Sequence, residues 1–132
     1  QSINQSLINR GIMRKVTEQV SNALINGKKK TVNHTVSNGK YITLHGNKII
    51  VKGKFNTYFN LQGAVTPSGR PSPTTRERLN GYLYLIGCSF GFGQKNWEPV
   101  LHGRNNQNNY VVKPINDNQW YSVDHLKKII NS

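Results

Sequence analysis

Carboxylates are scarce in this sequence. Glu18, Glu77, Glu98, Asp117 and Asp124 are all that 132 residues provide. A two-metal nuclease or polymerase centre requires a cluster of such groups, so the composition weighs against that class. Cysteine is rarer still. Cys88 stands alone, which excludes a disulfide scaffold. No apolar run approaches the roughly 20 residues that a membrane-spanning helix requires. Hydrophobic residues make up 35% and aromatics 9%, enough for a folded chain on a lean core. A chain of this length is one domain, residues 1–132.

What the sequence has in excess is positive charge. Its 18 Lys and Arg leave a net charge of +13. Solubility in a small domain calls for a magnitude of roughly 2–8. The surplus points to a polyanionic partner, and nucleic acid is the commonest, because phosphate contacts dominate its affinity. A membrane surface fits less well. Apart from the run Lys28, Lys29, Lys30, the basic residues are scattered rather than gathered on one amphipathic helix. The chain begins at Gln1 without a signal-peptide pattern, and the simplest account is a processed protein or a C-terminal domain cut from a longer one.

Periodicity places the elements. Ile8, Ile12, Val16, Val20 and Leu24 recur every four residues, beside Ile3, Leu7 and Ala23, and predict an amphipathic helix over 3–25. Gly11 weakens it and Gly27 stops it. From residue 31 the pattern turns to β. Asn38-Gly39 and Gly46-Asn47 read as two-residue hairpin turns between strands at 31–37, 40–45 and 48–54, with a further strand at 55–61. Residues 66–81 carry Pro67, Pro71 and Pro73 with Arg70, Arg76 and Arg78, and read as an exposed arginine-bearing loop. Residues 79–90 read as a buried central strand, and 97–102 and 110–115 as two more, joined by the polar stretch of Asn105, Asn106, Asn108 and Asn109. Residues 123–130 predict a short helix, capped by Ser122, with Lys127 and Lys128 in its last turn. The expected class is α+β: an N-terminal amphipathic helix packed on an antiparallel β-meander sheet, with a short C-terminal helix.

The glycine-rich stretch from Gly87 to Lys95 is not a phosphate loop, because its second glycine is misplaced and no Lys-Ser/Thr pair follows. Its glycines read instead as a bulge or a close approach of backbone. Cys88 lies in the most apolar segment and reads as a core thiol with a raised pKa rather than a nucleophile.

His102, Asn118 and His125 fall on an expected strand, loop and helix in that order. Over residues 97–131 this resembles the ββα-metal unit of H-N-H nucleases. The resemblance implies one histidine activating water and others holding a metal. No second histidine adjoins His102 here, and the interval from Asn118 to His125 is shorter than that family's.

Hairpin parity gives a sharper site. The first turn pairs Val36 with Tyr41, His34 with Thr43 and Val32 with His45. The second pairs His45 with Lys48, Thr43 with Ile50 and Tyr41 with Lys52. Directly paired residues share a face. One face therefore collects His34, His45, Lys48, Lys52, Tyr41 and Thr43, and the other Ile42, Leu44, Ile49 and Val51 for the helix to cover. Two histidines beside lysines and a tyrosine are the parts of a metal-independent ribonuclease. One imidazole takes the 2′-hydroxyl proton, the other protonates the leaving 5′-oxygen, and a cation stabilises the phosphorane. A plain RNA-binding sheet with Tyr41 stacking on a base has the same parts. A second basic and aromatic group comprises His102, Arg104, Tyr110 and Lys113.

The leading expectation is a metal-independent endoribonuclease acting on RNA. His34, His45, His102, Lys52 and Tyr41 would carry catalysis. Lys48, Arg70, Arg76, Arg78, Arg104, Lys113 and Tyr110 would hold the strand. That chemistry requires neither metal nor cofactor. In composition the chain resembles toxin modules of bacterial competition systems, which implies an acidic immunity or inhibitor protein as partner and a target cytoplasm as the place of action. The alternatives are a non-catalytic nucleic-acid-binding or phage structural protein, and an H-N-H metal nuclease.

Overall fold

The computed structural model describes residues 13–132. The leading part of the expected helix, with Ile3, Leu7, Ile8, Gly11 and Ile12, lies outside the described residues. Within them the first helix, α1, spans Lys15–Ile25, and Arg14 before it is extended. Thr17, Val20, Ser21 and Leu24 follow helical spacing and form its buried face. Gly27 ends it at φ +67°. Its N–H donates to Leu24 O at 3.0 Å, and Lys28 N–H to Ala23 O at 2.7 Å, which satisfies carbonyls the helix would otherwise orphan.

A meander follows: β1 (Lys29–Val32), β2 (Thr35–Asn38), β3 (Tyr41–Leu44), β4 (Asn47–Lys52) and β5 (Thr57–Phe59). With β9 (Tyr121–Ser122) they form one six-stranded sheet in the order β1-β2-β3-β4-β5-β9, every pairing antiparallel. The expected strand over 31–37 is in fact two strands. Asn33 takes a left-handed conformation at φ 55° and turns the chain with His34. Asparagine tolerates that conformation because its side chain is short and polar.

The other two turns are each displaced by one residue. The first centres on Gly39-Lys40, because Asn38 Oδ1 accepts from the N–H groups of Lys40 and Tyr41, both at 2.9 Å. The second centres on His45-Gly46, both at positive φ. Moving a turn by one residue changes the register by two, so the faces survive. Val36 thus pairs with Thr43. A bulge between Ile42 and Thr43 then breaks the parity of β4. Ile49 and Ile50 are both fully buried, and Val51 is only half-buried. Lys52 beyond the bulge leaves the histidine face. Its Nζ donates to Leu24 O at 3.1 Å and Ile25 O at 2.9 Å, where an ammonium suits the negative end of α1. The expected position of Lys52 beside the histidines is thereby corrected.

Residues 73–85 correct a larger expectation. They form a helix, α2 (Pro73–Leu85), rather than the end of a loop and a buried strand. Ser72 Oγ accepts from Thr75 N at 3.1 Å, and Pro73 occupies the first turn, where a missing N–H costs nothing. Gly87 closes it at φ +89° in the same manner as Gly27. Leu79, Tyr82 and Leu83 are its buried stripe.

Three strands then form a second antiparallel meander: β6 (Phe90–Lys95), β7 (Glu98–Arg104) and β8 (Tyr110–Pro114). Asn96 and Trp97 make the first turn, both at positive φ, so Trp97 is a turn residue rather than the start of a strand. The closing helix α3 (Val123–Ile130) is capped by Ser122 Oγ accepting from His125 N at 3.1 Å. One core joins the layers. Phe59 from the large sheet meets Tyr82 of α2 and Phe92 of the small sheet at ring distances of 5.9 and 6.3 Å, with Leu126 and Ile130 of α3 in the same cluster. The architecture is α+β, as expected from the sequence, with two sheets in place of one.

The arginines of 66–81 do not share one exposed loop. Arg70 pairs with Glu98 at 2.9 Å and with Asp117 at 3.6 Å. Arg76 donates to Pro71 O at 3.0 Å. Arg78 is buried, at 8% exposure. It donates to Thr35 Oγ1 of β2 and Thr17 Oγ1 of α1, each at 3.0 Å, and pairs with Glu77. Glu77 also accepts from Thr17 Oγ1 and from Arg14 N. Replacing Arg78 by Ala leaves a partly buried carboxylate and two buried hydroxyls without their cation, and should cost about 3 kcal/mol. Arg70→Ala, in a half-exposed pair, should cost about 1 kcal/mol or less. Urea denaturation of both variants checks the contrast.

Candidate nucleic-acid interface

The pairings of the large sheet define its two faces. Thr35, Ser37, Ile42, Leu44, Ile50, Phe59 and Tyr121 are buried under the helices. The opposite face takes Lys29 and Thr31 from β1, Val36 and Asn38 from β2, Tyr41 and Thr43 from β3, Lys48 and Val51 from β4, and Tyr58 from β5. Lys48 Nζ lies 4.3 Å from the centre of the Tyr41 ring, a cation–π contact. Phe55, on the loop between β4 and β5, is 90% exposed beside Lys54.

No Asp or Glu occurs between Glu18 and Glu77. The face therefore contains no carboxylate from its own five consecutive strands. Asp124, at the start of α3, bonds Asn56 Nδ2 at 3.0 Å. Among the described residues, ion pairs engage Arg70 and Arg78 and no lysine. The lysine charge of this face stays uncompensated.

His34 and His45 sit on adjacent turns at one end of the sheet, tied by His45 N–H donating to His34 O at 2.9 Å. Their rings stack, with centres 4.6 Å apart and planes 28° from parallel, and both are exposed. The structure thus brings His34 and His45 together on two turns, and Tyr41, Thr43 and Lys48 together on the adjoining strands. It does so with the imidazoles in contact. Rings so close leave no space for a phosphodiester between them, so they do not form the two-sided acid–base arrangement expected from the sequence.

The second group divides. His102, Arg104 and Tyr110 line a cavity of about 760 Å³ between α2 and the small sheet, while Lys113 lies on the other face of that sheet and donates to Ser132 O at 3.0 Å. Tyr110 Oη and His102 Nδ1 are 3.1 Å apart. Gly93 allows the His102 ring to lie on the strand: a Cβ there would stand 2.7 Å from Cδ2 and 2.8 Å from Nε2. Gly91 makes the same room for Asn80, whose side chain clamps Phe92 through N–H at 2.7 Å and C=O at 2.9 Å. The glycine-rich stretch is therefore a strand approached closely by side chains. The α2 wall adds Arg76, whose partial burial lowers its pKa from the ordinary arginine value, and Tyr84.

Cys88 also lines this cavity. Burial raises its pKa, with Lys127 pulling weakly the other way. Asn118 and His125 do not line it, and His125 packs on Tyr121 at 5.2 Å. Among the described residues no group of three or more His, Cys, Asp or Glu could hold a metal ion. Sequence reasoning missed the contribution of Asn80 and Tyr84, since both were assigned to a strand.

This mixed α+β domain, with a basic outer sheet, shows its kinship by sequence. Residues 13–124 match the profile of the Kyanoviridae Gp96 protein. The chain belongs to that family, and Kyanoviridae are phages. No curated protein and no solved structure matches it.

A raised thiol pKa means little thiolate at neutral pH. Cys88 in the folded protein should alkylate with iodoacetamide more slowly than in urea at pH 8. Its rate should keep rising with pH beyond the range where an ordinary free thiol has levelled off. Equal folded and unfolded rates would show an unperturbed, open thiol.

Proposed function

We propose that this phage protein binds nucleic acid, with single-stranded RNA as the preferred form, on the outer face of its large sheet. The observation that carries the reading is the face itself: Lys29 and Lys48 beside Tyr41 and Tyr58, in a stretch of chain without a carboxylate. Phosphates suit the lysines, and unstacked bases suit the tyrosine rings of an open sheet. Duplex presents no free base faces to such a surface. The stacked histidines serve here as a further flat, polar contact.

A second reading keeps the endoribonuclease and moves its centre to His102. It rests on the hydrogen bond to Tyr110 within a cavity that also holds Arg76 and Arg104. An acidic protein partner would compete for the basic sheet face.

Fluorescence anisotropy with a labelled single-stranded RNA tests the first reading. Affinity should fall linearly on a logarithmic salt scale, in proportion to the phosphates neutralised. Replacing Lys29 and Lys48 together by Ala should weaken binding across all sequences and reduce the salt slope by about 2. Tyr41→Ala should cost about 1–3 kcal/mol in binding. Salt-insensitive binding, or variants that bind as the parent does, would remove the proposal. RNA cleavage that persists in EDTA and is lost in His102→Ala would favour the second reading.

A further inference from the structure

The cavity between α2 and the small sheet is a separate feature, since no residue of the outer sheet face lines it. Its volume, about 760 Å³, falls within the range of small-molecule sites. Its charge is positive. Arg76 enters from α2 and Arg104 from β7. Among the described residues each donates one hydrogen bond to a backbone carbonyl, Pro71 O and Asn108 O, and neither meets a carboxylate. A guanidinium has five N–H donors in a planar fork, so most of each fork is left for a ligand. The single carboxylate in the lining, Glu77, is already held by Arg78, Thr17 and Arg14 N–H. It neither repels an anion nor offers a site to a cation.

The lining also presents exposed aromatic rings. Tyr84 from α2 and Tyr110 from β8 are 37% and 59% exposed. Phe90 and the side-chain-free Gly91 also line it. A bare phosphate would leave most of this volume empty, and an uncharged ring would leave two cations without a partner. We propose that the cavity binds a nucleotide, with its phosphate on the arginine forks and its base against the tyrosines. Free nucleoside monophosphate and the phosphorylated end of a strand share that chemistry. This site stands apart from strand binding on the sheet face and is tested apart from it.

The experiment titrates the full ¹⁵N-labelled chain with adenosine monophosphate, uridine monophosphate, adenosine and inorganic phosphate. A monophosphate should bind saturably, moving the amides of Gly91, His102 and Tyr110. Adenosine and phosphate alone should each bind at least about tenfold more weakly, the loss expected for missing charge-assisted hydrogen bonds or stacking. Arg104→Ala, on an exposed side chain, should weaken monophosphate binding by about tenfold with the melting temperature unchanged. The double variant of Lys29 and Lys48 should bind it as the parent does. A 5′-phosphorylated trinucleotide that binds more tightly than the monophosphate assigns the strand end as ligand. Equal affinity assigns the free nucleotide, and both results sustain the proposal. No saturable binding, binding unchanged by Arg104→Ala, or shifts confined to the sheet face would overturn it.

Discussion

A full positive charge in the core organises this molecule. Arg78 reaches from α2 to Thr35 of the large sheet and Thr17 of α1, with Glu77 beside it as counter-ion. Burying a guanidinium alone would be prohibitive, so the partners must be in place together. Glu77 then fixes the entry to α1 through Arg14 N–H. Three elements distant in sequence thereby acquire one relative position. The side of α2 left over becomes a wall of the cavity, with Arg76, Asn80 and Tyr84.

The same economy shapes the surface. Glu77 and Asp117, and the more exposed Glu98, are engaged with Arg78 and Arg70. Asp124 bonds Asn56 at the start of α3. Few acids are left to neutralise lysines, and none comes from β1 to β5. The large sheet can present an uncompensated cationic face because its strands are stabilised from the other side, by Ile42, Leu44, Ile49, Ile50 and Phe59 against the helices.

Much of this was legible in the residues. Strand parity predicts one face for His34, His45, Tyr41 and Lys48. For the strand residues Tyr41, Thr43 and Lys48 the register agrees although each turn was displaced by one residue, because such a shift changes the register by two, while the two histidines fall on turns beyond the paired residues. Lys52 escaped the same reasoning. A bulge leaves no mark in hydrophobic pattern beyond the adjacent Ile49 and Ile50. The helix α2 was signalled by Ser72-Pro73 at its start, Gly87 at its end and the spacing of Leu79, Tyr82 and Leu83. Three prolines in seven residues obscured that signal. The burial of Arg78 was not legible, since arginine is a surface residue by default and its partners are remote in sequence. Nor was the cavity, which requires two elements to be placed in space.

The central claim is that single-stranded nucleic acid lies on the outer face of the large sheet. Ultraviolet crosslinking to a short single-stranded RNA, with the modified peptides read by mass spectrometry, tests it most directly. The account predicts crosslinks at Tyr41 and Tyr58, lost when free RNA competes and reduced when Lys29 and Lys48 are replaced by Ala. Crosslinks confined to Tyr84, Tyr110 or Trp97, with Tyr41 and Tyr58 unmodified, would contradict it.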